Sequence, residues 1–272
     1  MAARRNPKKD KSARRRRPER RPASSGRRVR MGMETVTTLM LNAEAEALPL
    51  IGVAAVWLWN VAEDGEGAAY CVDGCLTLHY ALAEFGIASR VEAVILEMEG
   101  NGSHTLYGGD GPSYNANGTF NGHAVLVVPD AHRFLDPTLQ QYAEVPETEE
   151  ATGPLMARLP AGVSLGTAVL EVARSGHRVR YHPVPEHLRE AWRNPAITAN
   201  EAAYRQAGAN LAANVFDMLR TEFFRDKILA APYPRLHRLL QALGEAKSSA
   251  DGNGYRFRPA GAASDVRLAD IR

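Results

Sequence analysis

The chain has 272 residues, 45% of them hydrophobic, which is enough to bury one large core or two small ones. The first 30 residues contain 14 of the 33 Lys and Arg residues but only two of the 31 Asp and Glu residues, so the rest of the chain is acidic despite a net charge of +2. Composition excludes a membrane-spanning protein, because the apolar run at 48–59 is shorter than the about 20 residues that a bilayer requires.

Residues 1–30 are predicted to be a disordered basic tail, because they offer almost no apolar surface to bury. A tail of this charge could bind nucleic acid or another acidic partner by neutralising phosphates. Two alternatives stay open: a solvated tail without a partner, and an upstream extension that precedes a start at Met31 or Met33.

The cysteine content indicates a reducing compartment. The only two cysteines, Cys71 and Cys75, stand four positions apart, and a disulfide between them would strain a helical turn. We therefore expect free thiols in a soluble, cytoplasmic protein, since no secretory signal is evident.

The first half of the chain predicts helices followed by strands. Residues 34–62 have a helical pattern that Pro49 divides, and a second helix begins near Cys71 and ends at Gly86. Strands are expected at 91–98, at 123–128 and from 133 to Asp136, with a turn at 129–132 and a long polar loop at 99–121.

The second half predicts a hairpin and then helices. Residues 169–174 and 177–181 flank Ser175-Gly176, a two-residue hairpin signal, and 155–159 is a further strand candidate. From residue 186 the chain is expected to be helical, with a long amphipathic helix over 199–228 and a short one over 235–243. Residues 247–272 are expected to form a loose tail.

Cys71, His123 and Asp136 are the candidate catalytic residues. A thiol attacks an acyl carbon as thiolate, and both a helix N-terminus and a nearby imidazole favour that form. A carboxylate on the other ring nitrogen would orient the imidazole. Because an antiparallel pair with a short turn places residues from its two strands side by side, His123 and Asp136 are expected to meet.

The same residues carry a family resemblance. Cys71-Val72-Asp73 followed by Gly86-Ile87-Ala88-Ser89-Arg90 resembles the transglutaminase-like core, in which C-x-D opens a helix closed by a G-I-P-A-R segment. The His123-Ala124-Val125 and Leu135-Asp136-Pro137-Thr138 stretches resemble its H-A-x strand and D-P-T strand end. Ala88 replaces the usual Pro, and no aromatic residue follows Ala124. Arylamine N-acetyltransferases share the layout more distantly.

The resemblance covers residues 68–140 and implies an α+β fold with a transglutaminase-like or papain-like core, in which the nucleophile helix packs on an antiparallel sheet. The expected domain organisation is a catalytic core at 31–185 and a helical C-terminal region at 186–246. The implied activity is cysteine-dependent acyl transfer on an amide or ester of a protein, peptide or small molecule, by an amidase, peptidase or transglutaminase-type reaction without a cofactor. The alternative is a non-catalytic module whose basic tail binds nucleic acid.

Several neighbouring residues admit other roles. Cys75 is expected on the packed face of the helix as a small hydrophobe, leaving Cys71 as the more exposed nucleophile. Asp73 is expected to stabilise the helix end rather than to act in catalysis. The backbone N–H of Cys71 is the expected oxyanion donor. Trp57 and Trp59 could donate an indole N–H there, although core packing is the simpler role.

A metal site is a further alternative. Cys71, Cys75 and His79 lie at i, i+4 and i+8 of one helix, and His123 could complete a zinc site. Tetrahedral sites rarely take three ligands from one straight helix, so we expect no metal here.

Overall fold

The computed structural model describes residues 47–62, 71–142, 144–145, 153–160, 167–230, 233–243, 247–251, 254–258 and 263–267. The predicted tail at 1–30 lies outside these ranges. The helices are α1 (Ala47–Ala62), α2 (Cys71–Glu84), α3 (Pro195–Ala199), α4 (Glu201–Leu219), α5 (Glu222–Ala230) and α6 (Pro234–Leu243). Within the described ranges, none of these helices combines the length and the apolarity needed to cross a bilayer.

The strands build an α+β fold, as the sequence predicts. They are β1 (Arg90–Gly100), β2 (Ser103–Tyr107), β3 (Ser113–Tyr114), β4 (Phe120–Asn121), β5 (His123–Val128), β6 (Arg133–Asp136), β7 (Leu155–Arg158), β8 (Leu170–Arg174), β9 (His177–His182), β10 (Lys247–Asp251), β11 (Gly254–Arg258) and β12 (Val266–Arg267).

Seven of the strands form one antiparallel sheet that curls into a half-barrel, in the order β7-β6-β5-β1-β9-β8 with β2 also paired to β1. The long strand β1 has three partners: residues 90–94 pair with β5, residues 95–99 pair with β9, and residues 96–100 pair with β2. This division places the hairpin of β5 and β6 beside the first half of β1.

Strand β5 is buried along its whole length, as its uninterrupted apolar sequence predicts. Ala124, Leu126 and Val128 belong to the core that the helices cover, whereas Val125 and Val127 belong to a second core on the other face of the sheet. Because side chains alternate along a strand, residue 123 projects on the same face as Val125.

Helix α2 ends where Gly86 predicts. Gly86 adopts a φ of 67°, and the backbone N–H of Ile87 donates to the carbonyl of Leu82 at 2.9 Å while that of Gly86 donates to Ala83 at 2.9 Å. These two bonds form a Schellman motif, in which glycine avoids the strain of a left-handed residue.

Helix α4 packs closely against α2. Gly208 allows this approach, because a Cβ atom there would lie 2.5 Å from the Cβ of Tyr80 and 2.8 Å from the backbone nitrogen of Ala81. The helical region after residue 186 therefore shares one hydrophobic core with the helix that begins at Cys71.

Two turns have the predicted form. Ser175 and Gly176 both have positive φ, 51° and 76°, as a type I′ hairpin turn requires. Residues 129–131 form a single 3-10 turn between β5 and β6, and His132 follows in the left-handed region with a φ of 49°.

Pro49 does not divide the described helix α1, because it lies in the first turn, where its missing N–H costs no hydrogen bond.

Three expectations differ from the structure. The predicted loop at 99–121 contains β2 and the β3–β4 hairpin. The predicted helix at 199–228 is interrupted between α4 and α5, where the Thr221 hydroxyl donates to the Met218 carbonyl at 2.7 Å. The segment from 247, expected to be loose, contains the antiparallel strands β10, β11 and β12, whose pairing supplies the order that composition did not suggest.

Candidate active site

Cys71 is the first residue of helix α2 and is only 3% exposed. Its backbone N–H is among the amides that have no acceptor within the helix, and the partial positive charge of the helix N-terminus favours a thiolate at this place. The expected position of the thiol at the start of the helix is confirmed. Cys71 is buried, although it is slightly more exposed than Cys75.

His123 and Asp136 meet as the hairpin predicts. Leu126 pairs with Leu135 across β5 and β6. The same register places Asp136 opposite Val125, whose side chain is next to that of His123 on one face of the sheet. The His123 Nε2 atom lies 2.7 Å from the Asp136 Oδ2 atom, and both side chains are fully buried. A buried pair this close stabilises a protonated imidazole, provided that its remaining polar atoms have partners.

Two further donors hold the Asp136 carboxylate. The Tyr181 hydroxyl donates to Oδ2 at 2.8 Å, and the backbone N–H of Thr138 donates to Oδ1 at 3.0 Å. Tyr181 is fully buried on β9, and Thr138 lies two residues after Asp136, so a second strand and the local turn fix the carboxylate against His123.

The environment of His123 favours its charged form. Burial by itself lowers the pKa of the imidazole, but the charge and hydrogen bond of Asp136, together with a hydrogen bond and the charge of Cys71, raise the pKa to about 10. The charges of Asp136 and Cys71 thus both favour the protonated ring.

The second ring nitrogen of His123 faces two side chains that sequence reasoning missed. The Tyr142 hydroxyl lies 2.9 Å from Nδ1, and the Gln141 Nε2 atom lies 3.5 Å from it. Because Asp136 occupies Nε2, both side chains approach the ring at Nδ1.

The burial of the two cysteines is nearly equal, so exposure does not separate them as expected. The Cys75 thiol is completely buried and donates to the carbonyl of Ala124 at 3.3 Å. Burial, followed by the charges of Asp136 and Cys71, raises the pKa of Cys75 well above its ordinary value. Position at the start of the helix, rather than exposure, distinguishes Cys71 from Cys75.

Asp73 connects the first turn of α2 to α4. The Tyr204 hydroxyl donates to the Asp73 Oδ1 atom at 2.5 Å. Tyr114, on the β3–β4 hairpin, donates to the carbonyl of Trp192 at 2.6 Å, and burial together with the charges of Cys71 and Asp73 raises the pKa of Tyr114 to about 12. Two tyrosines from distant segments therefore border the start of the helix.

The ligands of the alternative metal site do not assemble. Nowhere in the part of the chain that the structure describes do three His, Cys, Asp or Glu side chains form a group that could hold a metal ion. The His79 Nδ1 atom instead lies 3.0 Å from the Ser89 hydroxyl, and burial lowers the pKa of His79. The side chains of Trp57 and Trp59, considered as oxyanion donors, lie outside the described residues.

A cavity of about 290 Å³ lies along α2, and none of the three candidate catalytic residues lines it. Leu76, Tyr80, Trp192 and Tyr204 contribute to its walls. Tyr204 also bonds Asp73, so one wall of the cavity is joined to the first turn of the Cys71 helix.

The missed tyrosines carry weak sequence signals. Tyr181 alternates with Val179 on a predicted strand and so occupies an inward-facing position, where a buried hydroxyl needs a partner. Tyr142 follows Asp136 by six residues, after a short 3-10 turn at 139–141, and no local pattern indicates that it returns to His123.

Comparison of the chain with protein-family models, with curated proteins and with solved structures gives no match.

Proposed function

We propose that the protein is a cysteine-dependent acyl-transfer enzyme with a transglutaminase-like catalytic core. The observation that carries the proposal is the fully buried His123–Asp136 pair at 2.7 Å. Cys71, at the start of a helix, also contributes to raising the pKa of this imidazole. The motif resemblance at Cys71, Gly86, His123 and Asp136 supports the same assignment.

The chemistry begins at the Cys71 sulfur. The thiol proton resides on His123, and the thiolate attacks the carbonyl carbon of an amide or ester, forming a carbon–sulfur bond while the carbonyl electron pair moves to oxygen. When the tetrahedral intermediate collapses, the bond to the leaving amine or alcohol breaks and His123 donates the proton to that group. A thioester on Cys71 remains.

The second half transfers the acyl group to water or to an amine. His123 takes the proton of the attacking group, the new bond forms at the thioester carbon, and Cys71 leaves as thiolate. Asp136 stabilises the imidazolium in both halves. The backbone N–H of Cys71, which has no acceptor within the helix, is placed to donate to the oxyanion.

Alkylation of Cys71 by iodoacetamide tests the proposal. The rate is measured from pH 4 to 10 with the modified residue identified by peptide mass mapping, so that the midpoint reports thiolate formation and the plateau reports access. We expect the alkylation of Cys71 to begin at a lower pH than that of a free thiol, because an imidazolium and a helix N-terminus stabilise the thiolate.

His123→Gln is expected to return the midpoint to the free-thiol range, whereas the exposed His132→Gln serves as the matched control and is expected to leave it unchanged. A second readout is the burst of p-nitrophenol from p-nitrophenyl acetate, which Cys71→Ala should abolish and Cys75→Ala should retain. An ordinary Cys71 midpoint without a burst would overturn the proposal and favour a non-catalytic module.

A further inference from the structure

Gln141 is held beside His123 by the turn that follows Asp136. Its backbone N–H donates to the carbonyl of Thr138 at 2.9 Å, and the backbone N–H of Thr138 donates to the Asp136 Oδ1 atom at 3.0 Å. The side-chain Nε2 atom of Gln141 lies 3.5 Å from the His123 Nδ1 atom. The turn therefore fixes this amide relative to both members of the buried pair.

The far end of the Gln141 amide is not held in place. Its Oε1 atom is buried and finds no hydrogen-bond partner among the residues that the structure describes. An amide oxygen accepts and an amide nitrogen donates, but the two ends have nearly the same shape. Half a rotation of the amide therefore exchanges a donor for an acceptor at Nδ1 of His123 without moving the turn, and no bond to Oε1 within the described residues opposes it.

We infer that the Gln141 amide turns with the charge of His123: its oxygen accepts from Nδ1–H when the ring is protonated, and its nitrogen donates to Nδ1 when the ring is neutral. This role rests on the proposed function, in which His123 alternately holds and releases a proton. Gln141 is accordingly a positioning residue that gives each form of the imidazole a matching partner.

The bond at Nε2 leaves Nδ1 as the nitrogen whose proton is exchanged. Asp136 lies 2.7 Å from Nε2, and its carboxylate accepts from Nε2–H in both forms of the His123 ring. In the imidazolium Nδ1 is a donor, so the amide nitrogen of Gln141 would face a second donor while its oxygen stays unpaired. In the neutral ring Nδ1 has a lone pair, which the amide nitrogen matches. Each orientation of the amide thus fits one charge state.

The other groups around the imidazole do not depend on this amide. The Tyr142 hydroxyl, 2.9 Å from Nδ1, both accepts and donates, so it suits either form of the ring. Asp136 on β6 and the charge of Cys71 on α2 favour the protonated form. Tyr181 on β9 lies with its ring centroid 6.3 Å away and stays neutral, because burial raises its pKa. Variants of Gln141 keep all four groups and therefore isolate the amide.

The test is the pKa of His123, measured in the full chain from the NMR signals of its ring between pH 5 and 11. Gln141→Met keeps the length of the side chain but removes both ends of the amide. We expect the pKa of His123 to fall by about one unit, because a hydrogen bond to the charged ring is roughly twice as strong as one to the neutral ring. Gln141→Glu, which presents an oxygen in either orientation, should keep the pKa at or above that of the unmodified protein.

A second readout follows the rotation itself. The nuclear Overhauser effect between the Gln141 NH₂ protons and the hydrogen on Cε1 of His123, which neighbours Nδ1, should be weak below the midpoint of the titration and strong above it. An effect of constant strength through the titration would contradict the rotation.

Gln140→Met is the matched control. Gln140 lies in the same turn and also has a buried Oε1 atom without a partner among the described residues, but its Nε2 atom donates to the carbonyl of Pro137 at 3.1 Å. The substitution removes the same kind of amide away from the imidazole. It is expected to leave the pKa of His123 unchanged, and circular dichroism of each variant checks the fold.

The outcomes separate this inference from the proposed function. A pKa of His123 that Gln141→Met leaves unchanged or raises overturns the role of the amide, whatever the alkylation of Cys71 shows. Equal falls in Gln141→Met and Gln140→Met also overturn it, since the turn as a whole would then set the pKa. The expected pKa shifts combined with free-thiol alkylation of Cys71 overturn the proposed function alone.

Discussion

At the scale of single residues, the central feature is an ion pair removed completely from water. Such a pair gains little unless both partners keep their hydrogen bonds, because desolvating two charges is costly. Here Asp136 accepts at both carboxylate oxygens, from His123 and Tyr181 at one and from Thr138 at the other. The surrounding donors explain how a charged pair can occupy a core position.

Removing the carboxylate should therefore destabilise the protein strongly. Asp136→Ala leaves a buried imidazolium without its counter-charge, and we expect the free energy of unfolding near pH 6.5 to fall by about 3–5 kcal/mol. Chemical denaturation followed by circular dichroism measures the change.

Asp130→Ala is the control for this prediction, because Asp130 is an exposed aspartate in the turn of the same hairpin. Its effect is expected to stay within about 0.5 kcal/mol, as is usual at the surface. Equal losses in the two variants would contradict the special status of Asp136.

At the scale of secondary-structure elements, the helix that begins at Cys71 is held between a sheet and another helix. The thiol of Cys75 bonds strand β5 at Ala124, while Tyr204 of α4 bonds Asp73 in the first turn. Close approach of α4 at Gly208 therefore helps to position the start of α2 relative to the hairpin that carries His123.

Gly208→Ala tests this close approach. Alanine improves helix propensity by about 1 kcal/mol relative to glycine, but the added methyl group would collide with Tyr80 and Ala81. We expect a net loss of about 1–3 kcal/mol in the free energy of unfolding, which is typical of overpacking.

Asn214→Ala, at an exposed position of the same helix, isolates the propensity effect and should be neutral or slightly stabilising. Stabilisation by Gly208→Ala in thermal or chemical unfolding would mean that the two helices separate at little cost.

At the scale of the whole molecule, burial of His123 links folding to pH. Desolvation lowers the pKa of this imidazole, but Asp136 and Cys71 outweigh it and raise the pKa to about 10. An unfolded histidine titrates near pH 6.5, so the folded protein binds the proton more tightly. The stabilisation is complete below about pH 6.5 and is lost as the pH rises towards about 10.

The free energy of unfolding should consequently fall between pH 6.5 and 8.5 with a slope approaching about 1.4 kcal/mol per pH unit from this group. Urea titrations of the unmodified protein and of His123→Gln measure the difference in slope. The range stops at pH 8.5 so that Cys75, whose pKa is also raised by burial, does not contribute to the slope. Parallel pH dependence in the two proteins would refute the assigned charge state.

Local patterns in the sequence were sufficient for the elements that carry the candidate site. The Gly86 cap, the Ser175-Gly176 turn and the apolar run 123–128 each depend on backbone conformation or burial within a few residues, and each was predicted correctly. The pairing of His123 with Asp136 followed from the short turn between two strands, because hairpin register depends on local connectivity.

Contacts between residues distant in the chain were decided by the tertiary structure alone. Tyr142 returns to His123, Tyr181 crosses from β9 to Asp136, and Cys71 is covered instead of exposed. None of these leaves a periodic or spacing signal, because each depends on how separate segments pack. The sequence by itself determined which residue types could perform the chemistry, whereas packing decided which hydrogen bonds and charges surround them.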